Sequence, residues 1–278
     1  MRKIFKNEEY EAAITKTGYV ILRQLISENT CDELQKIFIQ NDVVDNRAFT
    51  ISNWNNNESY RKVIYDKVCE LLLPAASQVL ENYKPVLAVF TVKRPGAKSS
   101  MLLHQDWSLV EETKYRSVSI WVALCDMTSS NGNLQVAEYS HIYAPFPRGM
   151  NMSVPFENIR NKIHESYLTD IPLKKGDVVI FDHRLIHASP ENSSDQLRLA
   201  AVLALIPDEA ELIHYYKHEK NETELEVLKL SEEEFRIIDF FNPPYKPKHQ
   251  LILKTVVNEY RQITVEEIEN TLNQQHNR

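Results

Sequence analysis

His104-Gln105-Asp106 sets an imidazole and a carboxylate two residues apart. On a strand, residues at that spacing share a face, so both side chains can reach one point in space. The pair alone is weak evidence in a chain with nine histidines. A third ligand is expected from the stretch Gly176 to Ser193, where an apolar run leads through His183 to His187 and into a turn-rich segment, Pro190 to Asp195. A return strand begins at Leu197. A hairpin centred between Asn192 and Ser193 would set His187 opposite Arg198, and directly opposed residues share a face. His183 competes for the same role; His187 is preferred because it alone gains the opposed arginine.

Two histidines and one carboxylate form the facial set of non-haem Fe(II) oxygenases. Held on one side of the ion, they leave three positions open. A 2-oxo acid can chelate through two of them and O2 can take the third. Arg198 would then pair with the far carboxylate of 2-oxoglutarate through a charge-assisted, bidentate contact.

The elements that must aim these groups are short β runs: Val86–Val92, Met101–Trp107, Val118–Cys125, Leu134–Ala137, Asp177–Phe181 and Leu197–Ile206. Several short strands with turns between them predict a mainly β fold with flanking helices, a sandwich or jelly roll. The return strand carries Arg198, Ala200, Val202 and Ala204 on one face and leucines on the other. Val118–Cys125 likewise divides into Ser119, Trp121 and Ala123 against Ile120, Val122 and Leu124. Small residues leave room inside a barrel, and large ones pack outward under helices.

Residues 1–84 are expected to be a helical support. Ser27 caps a segment with Cys31, Leu34, Ile37 and Phe38 on one face, and Pro74 should kink or divide a later helix. Residues 138–170 form a lid-like excursion from the 85–206 core. Residues 207–278 are expected to be a helical, charged extension, with capping boxes at Ser231/Glu234 and Thr264/Glu267 and a connector over 242–247. The whole chain is expected to be one domain.

Composition narrows the function. Glycine occurs five times, where average usage of ~7% would give roughly nineteen. No G-x-G-x-x-G or G-x-x-x-x-G-K-[ST] occurs, which argues against nucleotide binding on a glycine-rich loop. A net charge of −7 argues against nucleic acid as a partner. No apolar stretch approaches membrane-spanning length, and the first residues lack the apolar core of a secretory signal. Three widely spaced cysteines read as free thiols of a cytoplasmic protein. Lys93, Arg94 and Lys98 could recognise an anionic substrate, but a solvated loop near Pro95-Gly96 is the preferred reading, as it is for Arg148, Arg160 and Lys162.

The sequence resembles the phytanoyl-CoA dioxygenase family of Fe(II)/2-oxoglutarate oxygenases. The likeness rests on His104-Gln105-Asp106, on Asn131-Gly132-Asn133-Leu134-Gln135-Val136, on Leu185-Ile186-His187-Ala188-Ser189-Pro190-Glu191-Asn192, and on an arginine eleven residues past the last ligand, Arg198. It covers about residues 85–206 and implies a double-stranded β-helix, cupin-like, by analogy. It implies iron at His104, Asp106 and His187, and 2-oxoglutarate at Arg198 with Ser189 assisting and Thr91 and Trp121 lining the pocket. Relatives usually have Pro-Gly before Ser/Thr-His where this chain has Glu138-Tyr139-Ser140-His141, so those residues become candidate substrate contacts.

The resemblance implies a dioxygenase that hydroxylates an unactivated C–H bond while 2-oxoglutarate is decarboxylated to succinate and CO2, with ascorbate as a stimulating reductant. Related halogenases lack the carboxylate ligand; Asp106 favours hydroxylation. The substrate is expected to be a small molecule, an amino acid, a related polar metabolite or an acyl derivative, with a small polar metabolite preferred because no apolar stripe long enough for an acyl chain stands out. A non-catalytic β-helix binding a ligand or partner is the alternative. A cupin-like isomerase or hydrolase is a third reading, with no use for Arg198.

Overall fold

The computed structural model describes residues 2–41, 47–149, 152–218, 220–237 and 251–276. The chain opens with α1 (Glu8–Thr17), β1 (Tyr19–Leu22), α2 (Glu28–Asn41), β2 (Phe49–Ile51) and α3 (Glu58–Val79). It continues through β3 (Tyr83–Lys93), β4 (Met101–His104), β5 (Val118–Ala123), β6 (Leu134–Ala137), α4 (Ser140–Tyr143), α5 (Arg160–Ser166) and β7 (Leu168–Ile171). Then come β8 (Val178–Asp182), β9 (His187–Ser189), β10 (Arg198–Pro207), β11 (Ile213–Lys217), β12 (Glu224–Lys229), α6 (Glu232–Ile237), β13 (Leu251–Val257) and α7 (Val265–His276).

Two antiparallel sheets make the barrel. The larger has the order β1-β8-β5-β10-β3-β2 and the smaller β4-β9-β6-β7. Trp121, Val179, Phe181 and Ala200 from the larger sheet pack against Leu134, Val136 and Ile171 from the smaller one. From β3 to β6 and again from β7 to β10, successive strands alternate between the two sheets, the arrangement of a jelly roll.

The outer face of the large sheet carries the main core. Ile120, Val122, Leu199, Leu203 and Leu205 pack under Cys31, Leu34 and Phe38 of α2 and Ile64, Val68 and Leu72 of α3. The division of β5 and β10 into a small and a large face is therefore real, with the leucines outward. Ser27 caps α2 by accepting from the Thr30 N–H at 3.1 Å. Pro74 lies inside α3 without dividing it. The amino-terminal region is not wholly helical, since β1 and β2 each add an edge strand to the large sheet.

The carboxy-terminal region corrects its expectation more strongly. β11, β12 and β13 form a separate three-stranded antiparallel sheet where a helical extension was expected. The central strand β12, Glu-Leu-Glu-Val-Leu-Lys, consists mostly of good helix formers, and cross-strand pairing on both sides overrides that local preference. Both capping boxes are present: Glu234 N–H to Ser231 Oγ at 3.1 Å and Glu267 N–H to Thr264 Oγ1 at 3.3 Å, each returned by the glutamate. The 242–247 connector lies outside the described residues.

The excursion over 138–170 packs behind the small sheet. Tyr139, Tyr143, Phe156 and Ile163 join Leu103, Ile186 and Ile268 of α7 in an apolar cluster there. Tyr139 takes a φ of 63°, the left-handed region that a glycine would enter without strain.

Candidate metal centre

His104 ends β4 and pairs across the ladder with His187, the first residue of β9. Their rings lie 4.1 Å apart between centroids. Asp106 stands two residues past the end of β4, and its Oδ1 lies 3.9 Å from His187 Nε2. Ligand atoms from His104, Asp106 and His187 all lie within 4.8 Å of one another. His104 Nδ1 is 2.8 Å from the Leu102 carbonyl and His187 Nδ1 is 2.9 Å from the Leu185 carbonyl. A carbonyl only accepts, so each Nδ1 carries the hydrogen and each Nε2 lone pair is left for a cation.

Neighbouring groups fix this set. The Ser119 hydroxyl donates to Asp106 Oδ2 at 2.8 Å, and its oxygen lies 3.1 Å from His183 Nε2. Burial opposes ionisation of Asp106, but the imidazoles of His183, His187 and His104 and the Ser119 hydroxyl outweigh it, holding the carboxyl below its usual range. Burial, with the like charge of His187, pushes His104 down to about 4. Its imidazole is thus neutral at pH 7, the form that binds metal. Between the two ligands, Gln105 points away and donates to the Ala144 and Arg184 carbonyls, pinning the segment from behind.

The centre opens into a chamber of about 380 Å³ between the sheets. One end is polar, lined by Arg198, Thr91 and Ser189. Arg198 is 2% exposed. It donates to Thr91 Oγ1 at 3.2 Å and lies over the Trp121 ring, 5.5 Å from its centroid. Its Nε is buried with no partner, and burial lowers its pKa to about 10. A buried guanidinium without a counter-anion is costly, and a carboxylate arriving from solvent would relieve it. The residues therefore fit both groups: two imidazoles with free Nε2 atoms and a carboxylate for a divalent cation, and an unsatisfied guanidinium for the far end of a dicarboxylic 2-oxo acid.

The family model for phytanoyl-CoA dioxygenase matches residues 14–200. The chain belongs to that family. A phytanoyl-CoA dioxygenase of Arabidopsis thaliana is 30% identical over 128 residues, covering 44% of this chain and 45% of the relative. A phytanoyl-CoA dioxygenase domain-containing protein 1 of Danio rerio is 28% identical over 128 residues, covering 43% and 44%. These matches span less than half of each relative's length. Among solved structures, HygX from Streptomyces hygroscopicus with nickel, 2-oxoglutarate and hygromycin B bound superposes with a TM-score of 0.56 at 14% identity, covering 73% of this chain and 88% of that one. The α-ketoglutarate-dependent carbocyclase SnoK superposes at 0.53 with 16% identity, covering 74% and 86%. At such identities the likeness is one of fold, and it agrees with the jelly roll.

All seven residues expected at the site, His104, Asp106, His187, Arg198, Ser189, Thr91 and Trp121, line the one chamber. The route by which Arg198 arrives differs from the expected hairpin. β9 pairs with β4 and β6 in the small sheet, while β10 pairs with β3 and β5 in the large one. Arg198 therefore faces Lys93, not His187. Residues 190–197 cross between sheets, and buried Asn192 holds that crossing by donating to the Lys93 and Gln196 carbonyls at 3.0 and 2.7 Å. Gly132 allows the close approach, since at its φ of +80° a Cβ would sit 2.6 Å from the Pro190 carbonyl oxygen.

Other expectations change. His141 is buried on Gly18 and 3.1 Å from the Thr15 carbonyl, and Glu138 accepts from the Tyr19 hydroxyl at 2.7 Å. Neither these nor Tyr139 line the chamber. Lys93 and Arg148 are buried, not solvated. Arg148 pairs with Glu112 and donates to the Asp106 backbone carbonyl at 2.8 Å. His183, the competitor for the ligand role, lies behind Asp106 as a support, with its Nε2 3.1 Å from Ser119 Oγ, and Ser119 is a support that ligand spacing did not single out. Ser119 could have been found from its place beside Trp121 on the small face of β5.

Proposed function

We propose that the chain is an Fe(II)- and 2-oxoglutarate-dependent dioxygenase that hydroxylates an unactivated C–H bond of a small molecule. The observation that carries this reading is the two-ended chamber: a facial His104–Asp106–His187 set opens onto the same space as the unsatisfied guanidinium of Arg198. The iron would supply O2 activation; His104, Asp106 and His187 would hold it on one side, and Arg198 with Thr91 would orient the 2-oxo acid from the other end. The overall reaction balances as substrate C–H, O2 and 2-oxoglutarate giving C–OH, succinate and CO2.

Substrate would enter beyond the metal, toward the end of β3 and β10 remote from Arg198. Leu87, Val89, Leu109, Val202, Ala204 and Phe235 line that end. The polar side chains of the chamber are committed to the metal set, its supports and the anion end. This supports a substrate that presents an uncharged, C–H-rich segment to the iron, whatever polar group it carries elsewhere. Among candidate classes, an acyl derivative suits such walls better than a free amino acid.

SnoN, described as an α-ketoglutarate-dependent epimerase, shares this fold with a TM-score of 0.51 and 16% identity, so product mass must be read as well as succinate. The test is a substrate screen with Fe(II), ascorbate and 18O2. Hydroxylation predicts succinate in step with product carrying one labelled oxygen. Succinate formed with a product of unchanged mass would point to epimerisation. No binding and no turnover of 2-oxoglutarate by iron-loaded protein would sink the oxygenase reading.

A further inference from the structure

β2 covers the outer edge of β3 only from Thr91 to Lys93. Ahead of Thr91 two side chains serve that edge: Ser52 Oγ accepts from the Phe90 N–H at 2.9 Å, and the Tyr65 hydroxyl donates to the Pro85 carbonyl at 3.1 Å. Between these ties lies a second cavity, of about 180 Å³. Leu87 and Ala88 of the strand border it, with Asn53 just past β2, Arg61 on α3 and Arg236 on α6. It adjoins the chamber around the edge of β3. Leu87 lines both spaces, and Trp54 and Phe235, the chain neighbours of Asn53 and Arg236, line the chamber.

Three donors around this cavity lack partners. Asn53 is 5% exposed, and its Nδ2 is buried and unmatched. The Nε atoms of Arg61 and Arg236 are buried and unmatched as well. Arg236 is held in place: its guanidinium lies 3.7 Å from the Tyr65 ring centroid, donates to the Tyr65 hydroxyl at 2.8 Å and pairs with Glu232 at 3.1 Å. Arg61 enters no ion pair among the described residues. Glu58 and Glu233 reach the rim, where they are exposed, and neither pairs with an arginine of the cavity. A buried donor without an acceptor is costly. One oxyanion, with several lone pairs and a charge opposite to the guanidinium groups, would satisfy all three.

We propose that this cavity is a specificity subsite for an oxyanion, carboxylate or phosphate, carried by the substrate. Arg61 and Arg236 are its charged contacts and Asn53 its neutral donor, and the C–H-rich remainder of the substrate passes Leu87 into the chamber. The proposal rests on the oxygenase reading for the reaction in the chamber. It adds the charge of the substrate and the residues that read it, since the chamber's own end near Leu87 is apolar and offers a charged group no partner.

The probes are octanoate and 1-octanol, equal in chain and unequal in charge, with inorganic phosphate as an oxyanion that has no tail. Each is titrated by calorimetry into full-length protein loaded under nitrogen with Fe(II) and saturating 2-oxoglutarate, which occupies the Arg198 end. Wild type is expected to bind octanoate about tenfold or more tighter than 1-octanol, the scale of one charged contact. Arg61→Met is expected to remove that preference and to leave 1-octanol within about twofold of wild type. Leu87→Trp, which fills the shared wall, is expected to weaken octanoate and to spare phosphate. Octanoate bound no tighter than 1-octanol by wild type overturns the subsite without recourse to any variant. So does a folded Arg61→Met protein that keeps the preference. A folded Leu87→Trp protein that binds octanoate like wild type overturns the link to the chamber and makes the cavity a seat for a free anion. Failure of 2-oxoglutarate to bind during loading would instead refute the oxygenase reading; an Arg61-dependent preference for octanoate would then still uphold the cavity as an oxyanion site, and its absence would overturn it.

Discussion

Ser119 donates its hydroxyl to Asp106 Oδ2 at 2.8 Å, from the centre of the large sheet to a ligand that lies past the end of a strand in the small one. Asp106 has no ladder to hold it, so this bond and the three imidazoles around it set where its carboxylate points. Removing a support of this kind typically lowers metal affinity 10–100-fold. Ser119→Ala should show a loss of about that size in Fe(II) competition against a colorimetric chelator, while Asp106→Ala should abolish tight binding. Unchanged affinity in Ser119→Ala would mean that Asp106 is positioned by other groups.

Arg148 supports the same ligand from the backbone side. Its guanidinium forms a buried pair with Glu112 and reaches the Asp106 carbonyl. Removing one partner of a buried pair costs about 3–5 kcal/mol, because the other is left uncompensated. Arg148→Met should therefore lower the melting temperature by roughly 6–20 °C, and adding Glu112→Gln should recover part of it. A double variant no more stable than the single one would show that the carbonyl contacts, not the pair, carry the effect.

Leu203 tests the layer that holds the barrel and not its chemistry. It is fully buried among the helix-facing residues of the large sheet. Leu203→Ala should destabilise by about 2–5 kcal/mol in denaturant unfolding. Iron and 2-oxoglutarate affinities of the folded fraction should stay within about twofold, since the residue faces away from the chamber.

Lys93, buried beside Arg198, should leave a mark on stability. Burial and the neighbouring Arg198 charge push its pKa down to about 6 in the folded chain from the ordinary lysine value of 10.5. Between those values the unfolded chain holds a proton that the folded one lacks, so the lysine's contribution to stability rises with pH across that window. The melting temperature of wild type minus that of Lys93→Met, measured without 2-oxoglutarate, should increase from pH 6 to pH 9. A difference that stays flat would show that the folded lysine keeps its proton.

The amino-acid sequence by itself pointed to the candidate ligands and to most of the strands around them, although β4 stops at His104 and leaves Asp106 beyond the expected Met101–Trp107 run. His104-Gln105-Asp106 and the run into His187 announce themselves because metal chemistry demands particular residue types at strand spacing. β5 and β10 are legible because a wall with a barrel on one side and helices on the other must alternate small and large residues. Tertiary structure decided the rest. The Pro190–Asp195 turn reads the same whether a chain doubles back within one sheet or crosses to the facing one, and only the packing of both sheets made it a crossing. That placed Arg198 beside Lys93 and not beside His187. Lys93 and Arg148 look like surface charges in any local window; their burial follows from segments far apart in the chain closing over them. The central strand of the carboxy-terminal sheet was hidden for a related reason, since the Glu, Leu and Lys of β12 favour a helix until neighbouring strands supply the pairing.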